Sequence, residues 1–266
     1  MDALLVQTIA SLPTALAALV AIGLPLLLAM GVGMVILSVF TPQELALNAD
    51  VGRAKFSFIV EIYAVVAALA LVGAWDIYQT TRDTLQKETS ALYMLAHATD
   101  TYGLPHQAEA REEMRGALRG YGTAVVEQDW PMMQAGLPSR ASDATFSRLS
   151  RAFMLPEPET QAQQAIAQNT AQWLLQIAEA RTARLSVGTR TLSTLVWLLV
   201  LTVSVSVLLF QWFIGSAQLA LHYTMSAVVA LIVGIVALVA LKLAFPVVGE
   251  FALLSPWPYL ELMNLP

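Results

Sequence analysis

Apolar residues in this chain fall into four long runs, and one long polar stretch divides them into pairs. Ser57 to Trp75 is apolar apart from Glu61, and its 19 residues would rise about 28 Å as an α-helix, close to the thickness of a bilayer core. Trp75 and Tyr78 follow as the amphipathic rings that favour a membrane–water boundary. Leu12 to Phe40 holds 29 residues without a charge, about 43 Å of helix, so a tilt or a kink at Pro25 is expected. Thr191 to Ile214 and His222 to Phe245 form the second pair, with Gly215-Ser216 turning the chain between them and Pro246 ending the last. Thr41 to Lys55 carries Pro42, Glu44, Asp50, Arg53 and Lys55 and reads as a short loop.

The second run does not stop at the membrane boundary. Tyr78, Thr81, Leu85, Glu88, Leu92, Leu95, Thr99 and Tyr102 recur at alternating spacings of three and four, the seam of a helix packed against other helices. No Pro or Gly interrupts it before Gly103-Leu104-Pro105, so one helix is expected from Phe56 to about Tyr102. A second helix is expected from Gln107 to Gln128, with Met114, Ala117, Leu118, Tyr121 and Val125 on one face, broken by Trp130-Pro131 and Gly136-Leu137-Pro138. A third runs from Ser142 to Phe153. A fourth, from Thr160 to Arg190, has Ile166, Thr170, Trp173, Ile177 and Arg181 in one stripe and should continue into the third span.

These readings give an all-α integral membrane protein with four transmembrane helices and long helices extending into a cytoplasmic helical domain. Residues 1–75 hold the first two spans, 76–190 the polar domain, 191–246 the last two spans and 247–266 a short tail. A composition of 57% hydrophobic and 12% charged residues excludes an ordinary soluble domain, for which about 25% charged is usual. Cysteine is absent, which excludes disulfides and thiolate metal sites. A net charge of −5 gives no basic patch for nucleic acid. Eleven of the 14 Lys/Arg residues lie between Asp76 and Arg190. Arg82, Lys87, Arg181, Arg184 and Arg190 flank the spans on that side, against Arg53 and Lys55 on the other, so the positive-inside rule makes the domain and both termini cytoplasmic, in the plasma (inner) membrane.

No catalytic constellation is present. His97, His106 and His222 lack metal-ligand spacing and acidic company, and no phosphate loop or nucleophile elbow occurs. The chain reads as a non-enzyme without cofactor or metal. Glu88 stands out because it lies on an apolar seam. Either the helix rotates and leaves it solvated, or it is buried and paired, since a lone buried charge is costly. Arg181 is the first partner by height: Glu88 is 13 residues past Trp75 and Arg181 ten before Thr191, about 20 and 15 Å along straight helices. Arg184, nearer the membrane, is a further member of this candidate ion pair. Glu61 and Lys242, near opposite ends of the spans, either reach headgroups or face a pore or subunit interface. Thr202 and Ser206 bond backbone carbonyls or line a path.

Ile62-Tyr63-Ala64-Val65, Trp75, Tyr78, Glu88, Leu92, Leu95-Ala96 and Leu104-Pro105 together resemble the opening of the bestrophin-like family known as DUF4239. Tyr121, the stretch Glu127-Gln128-Asp129-Trp130-Pro131-Met132-Met133 with Gly136, Arg181-x-x-Arg184-Leu185, Trp197, Pro246, Gly249 and Ser255-Pro256 are similar to its later motifs. Through its distant link to bestrophins, the resemblance implies a homo-oligomer in membrane lipid, a pentamer by analogy, conducting small inorganic anions with the second span nearest the axis. The rival reading is a non-conducting membrane scaffold or accessory subunit that holds a partner with its cytoplasmic helices.

Overall fold

A computed structural model describes residues 8, 12–47, 49–187, 191–216, 218–250 and 252–264. The chain divides into two compact units, Met1–Tyr78 with Thr191–Phe245 and Gly249–Phe251, and Gln79–Arg190 with Pro246–Val248 and Ala252–Pro266.

The first unit holds four helices long and apolar enough to cross a membrane: α1 (Thr14–Val39), α3 (Ala49–Thr99), α8 (Thr194–Phe210) and α9 (Leu219–Ala244). Helix α1 continues through Pro25 and lies on α9. Gly234 permits that closeness, because a Cβ there would stand 2.7 Å from the Cα of Ile22. Ala29, Val207, Leu208, Ala230 and Val233 form the buried contact, with Phe56, Ile59 and Tyr63 of α3 against it. The Trp212 ring rests on Gly33 and meets the rings of His222 and Tyr223 at 4.8 Å each.

Thr41 to Lys55 is not a loop. Thr41 caps a short helix, α2 (Pro42–Leu47): its amide and hydroxyl each donate to the Glu44 carboxylate at 2.8 Å, and the Glu44 amide donates back to the hydroxyl at 3.3 Å. That capping box, with Pro42 at the first helical position, is written in Thr-Pro-Gln-Glu. Helix α3 then begins at Ala49, so the charged residues Asp50, Arg53 and Lys55 occupy its first turns.

In the second unit, the α3 seam is buried at Thr81, Leu85, Glu88, Leu92, Leu95 and Thr99, with Tyr102 buried just beyond. Helix α4 (Ala108–Ala124) buries Met114, Ala117, Leu118 and Tyr121 and lies on α6 (Ser142–Met154). Trp130-Pro131 does not break it. The chain passes through a π-helical turn (Val125–Asp129), where the Trp130 amide donates to the Val125 carbonyl five residues back, and continues as α5 (Trp130–Gln134). Pro131 sits in the first turn of α5, where its missing N–H costs little. The stop comes at Gly136, whose φ of 70° and amide bond to Met133 close the helix.

Helix α7 (Gln161–Leu185) starts with a capping box between Thr160 and Gln163. It ends at Leu185 and does not run into the third span. Ser193 starts α8 afresh, accepting from the Val196 amide at 3.4 Å, and residues 188–190, Arg190 among them, lie outside the described residues. The tail is not featureless either: α10 (Trp257–Met263) packs on α4, where Gly122 leaves room for Met263.

Candidate functional site

The buried face of α7 follows a seven-residue interval through Gln163, Thr170, Ile177 and Arg184. This places Arg184, rather than Arg181, inside the second unit with a side chain of 0% exposure. Its Nε donates to Glu88 Oε2 at 2.8 Å, while Nη1 and Nη2 each donate to Asp129 Oδ2 at 3.2 Å. Glu88 also accepts from the Tyr121 hydroxyl at 2.6 Å. Asp129 accepts from Ser139 at 2.6 Å and from Ser142 at 2.5 Å. The Arg184 guanidinium lies 5.7 Å from the ring centroid of Tyr259, whose side chain is fully buried.

Glu88 and Arg181 do not pair. Arg181 bonds Asp143, donates through Nε to Ser142 Oγ at 2.9 Å and stacks on Phe146 at 5.7 Å. The height comparison that favoured Arg181 counted back from Thr191 along one unbroken helix, and α7 ends before that span begins. Through Ser142, Arg181 forms an outer layer around the inner cluster.

Two carboxylates and one guanidinium thus share a fully buried centre. Burial, the largest single influence, lowers the tendency of Arg184 to hold its proton, but the Glu88 charge, the neighbouring Tyr259 and Tyr121 and the Glu88 hydrogen bond together outweigh it and leave its pKa well above the ordinary arginine value. Burial first, then the Glu88 charge, pushes the Tyr121 and Tyr259 hydroxyls well above the ordinary tyrosine range, so both stay neutral. For Asp129 burial acts upward, yet bonds from Ser139 and Ser142 and the Arg184 charge prevail and hold it below the usual aspartate value. The cluster offers no activated nucleophile. What it does is join α3, α4, the π turn, the loop at Ser139, α6, α7 and α10 at one point.

Sequence reasoning named Asp129 only within the stretch that carries the family resemblance, without a place beside Glu88, and did not single out Tyr259. Tyr121 counted there as part of an apolar face, whereas its hydroxyl is a donor to the cluster. The available signal for Asp129 was its four-residue step from Val125, on the same face as Tyr121.

In the first unit, Glu61 is exposed on α3 and Lys242 is half-buried in the last turn of α9, where the helix dipole favours a cation. Thr202 and Ser206 donate to the Leu198 and Thr202 carbonyls at 2.8 Å each. Among the described residues no group of three or more His, Asp or Glu side chains could hold a metal ion.

Residues 23–255 match the family described as Bestrophin-like domain. None of the curated protein sequences matches the chain. Among solved structures, a single-residue variant of a bacterial bestrophin homologue from Klebsiella pneumoniae superposes with a TM-score of 0.67 at 12% identity, covering 92% of this chain and 99% of that one. A second variant of the same homologue gives 0.68 at 11% identity over 93% and 99%. A protein described only as a membrane protein gives 0.64 at 11% identity over 92% and 95%. At such identities the likeness is one of fold.

Proposed function

The chain belongs to the bestrophin-like family, and from that premise we propose that it assembles as a homo-oligomeric channel, by analogy a pentamer, for small anions in the plasma (inner) membrane. The observation that carries this reading is the family match across 23–255, which takes in all of α3, α8 and α9. The termini and residues 76–190 face the cytoplasm in this reading, in keeping with the Arg/Lys asymmetry. The second unit serves as a rigid cytosolic body, and its buried cluster fixes the helices around it rather than reacting with substrate.

Glu61 and Lys242 are the charges that a passing ion would meet if they face the axis. A symmetric ring repeats each of them once per subunit, so even a screened effect is multiplied. Chloride efflux from liposomes holding the purified oligomer, against a cation-flux control, tests the proposal. Glu61→Gln should raise anion flux and Lys242→Gln should lower it, most clearly at low salt. Absence of flux from a correctly assembled oligomer across pH and Ca²⁺ refutes conduction and favours a scaffold role.

A further inference from the structure

Within the first unit, the α2 segment, the start of α3 and the end of α8 enclose a groove of about 610 Å³, a volume in the range of small-molecule sites. Phe40, Val51, Phe210 and Phe213 make its apolar wall, and Phe213 binds the wall together, 6.4 Å from Phe40 and 5.6 Å from Phe210 between ring centroids. Phe40, Val51 and Phe213 remain 42%, 58% and 38% exposed.

The charges at the rim are unequal in their freedom. Glu44 is held by the Thr41 amide and hydroxyl, whose bonds draw its pKa below the usual glutamate value. Arg53 pairs with Asp50. Lys55 is exposed and forms no hydrogen bond or ion pair among the described residues. Its position along the chain is equally informative. The apolar spans end at Val39 and at Phe213, and the apolar run of α3 begins directly after Lys55. The groove therefore stands where hydrocarbon gives way to headgroups, with its cation at the polar lip and its rings on the hydrocarbon side.

We infer that this groove is a binding site for one phospholipid, with an acyl chain against Phe40, Phe210 and Phe213 and the phosphate on the Lys55 ammonium. A lipid satisfies both halves at once: it covers rings that water would not tolerate and supplies an anion to the cation beside them. The inference needs only that the apolar helices cross a membrane, and stands whether or not the assembly conducts.

Native mass spectrometry of the detergent-purified protein, titrated with phosphatidylglycerol, tests the site. One lipid per chain should be retained in the wild type. Lys55→Gln should weaken retention about fivefold, the roughly 1 kcal/mol supplied by one cation near an anionic surface. Arg53→Gln should leave it unchanged. Phe213→Ala should weaken it as well, and Val51→Ser tests the same wall without disturbing the ring contacts. Equal loss from Arg53→Gln and Lys55→Gln, or loss from neither, overturns the site. So does full competition by glycerol phosphate, which would make it a free-phosphate site. A disulfide joining two copies through a single cysteine at position 51 also overturns it, because a second copy would then cover the groove.

Discussion

Replacing Arg184 with Met keeps most of the side-chain volume and removes the guanidinium that Glu88 and Asp129 share. Both carboxylates would then be buried without that cation, Glu88 still accepting from Tyr121 and Asp129 from Ser139 and Ser142. Breaking a buried pair in this way costs about 3–5 kcal/mol, a large part of the roughly 5–15 kcal/mol that holds a domain together. At about 2–4 °C per kcal/mol for a chain of this size, the unfolding midpoint should fall by on the order of 10 °C. Arg181→Met is the internal reference. Arg181 is 12% exposed and its partner Asp143 55%, so only the Ser142 bond and the stacking on Phe146 add to a pair worth about 0–1 kcal/mol. Glu88→Gln combined with Arg184→Met should be less damaging than the sum of the two changes, by about 0.5–3 kcal/mol. The assay is loss of monodisperse protein after heating in detergent. An Arg184→Met midpoint no lower than that of Arg181→Met, or strictly additive losses in the double variant, would refute the account of the cluster.

Two further outcomes follow from the same observations. Asp129 has a folded pKa below its unfolded one, so its contribution is present above the usual aspartate value and is lost as pH falls through the depressed one. The stability gap between wild type and Asp129→Asn should accordingly be widest near neutral pH and close below about pH 4; a gap independent of pH would contradict this. Single cysteines at the exposed positions 47, 109 and 264 of this cysteine-free chain report topology. An impermeant reagent in intact cells should label position 47 and spare 109 and 264, and the reverse pattern would invert the orientation.

The parts of the fold legible in the sequence are those governed by unbroken helical periodicity. The α3 seam from Thr81 to Tyr102 and the α4 face from Met114 to Val125 are buried as their spacing requires, because in each case one side packs and the other is wet. Glu88 was conspicuous for the same reason, as a charge on an apolar line. Its partners were harder to read. Arg184 follows from a seven-residue interval anchored at Gln163, a polar residue that an apolar stripe through Trp173 passes over. Asp129 lay just past the expected helix end at Gln128 and directly before Trp130-Pro131, which reads as a helix stop unless the turn before it is wide enough to spare a hydrogen bond. Tyr259 belongs to a seven-residue helix flanked by prolines, too short for periodicity to declare itself. Where α7 ends, local capping at Ser193 overruled a composition that favoured continuation.

The π turn at Val125–Asp129 makes residue counting as important here as residue chemistry. Such a turn holds one residue more than its helix needs. A related chain shorter by one residue at this point could keep both flanking helices intact, with every hydrogen bond closed in the ordinary four-residue pattern. Each residue along a helix turns it by about 100°, so the acid at position 129 would swing away from Ser139, Ser142 and Arg184 although no side chain had been substituted. A gap of one in an alignment of such chains, harmless to every secondary-structure assignment, would mark the loss of the ionic centre or its replacement by an acid from a neighbouring position.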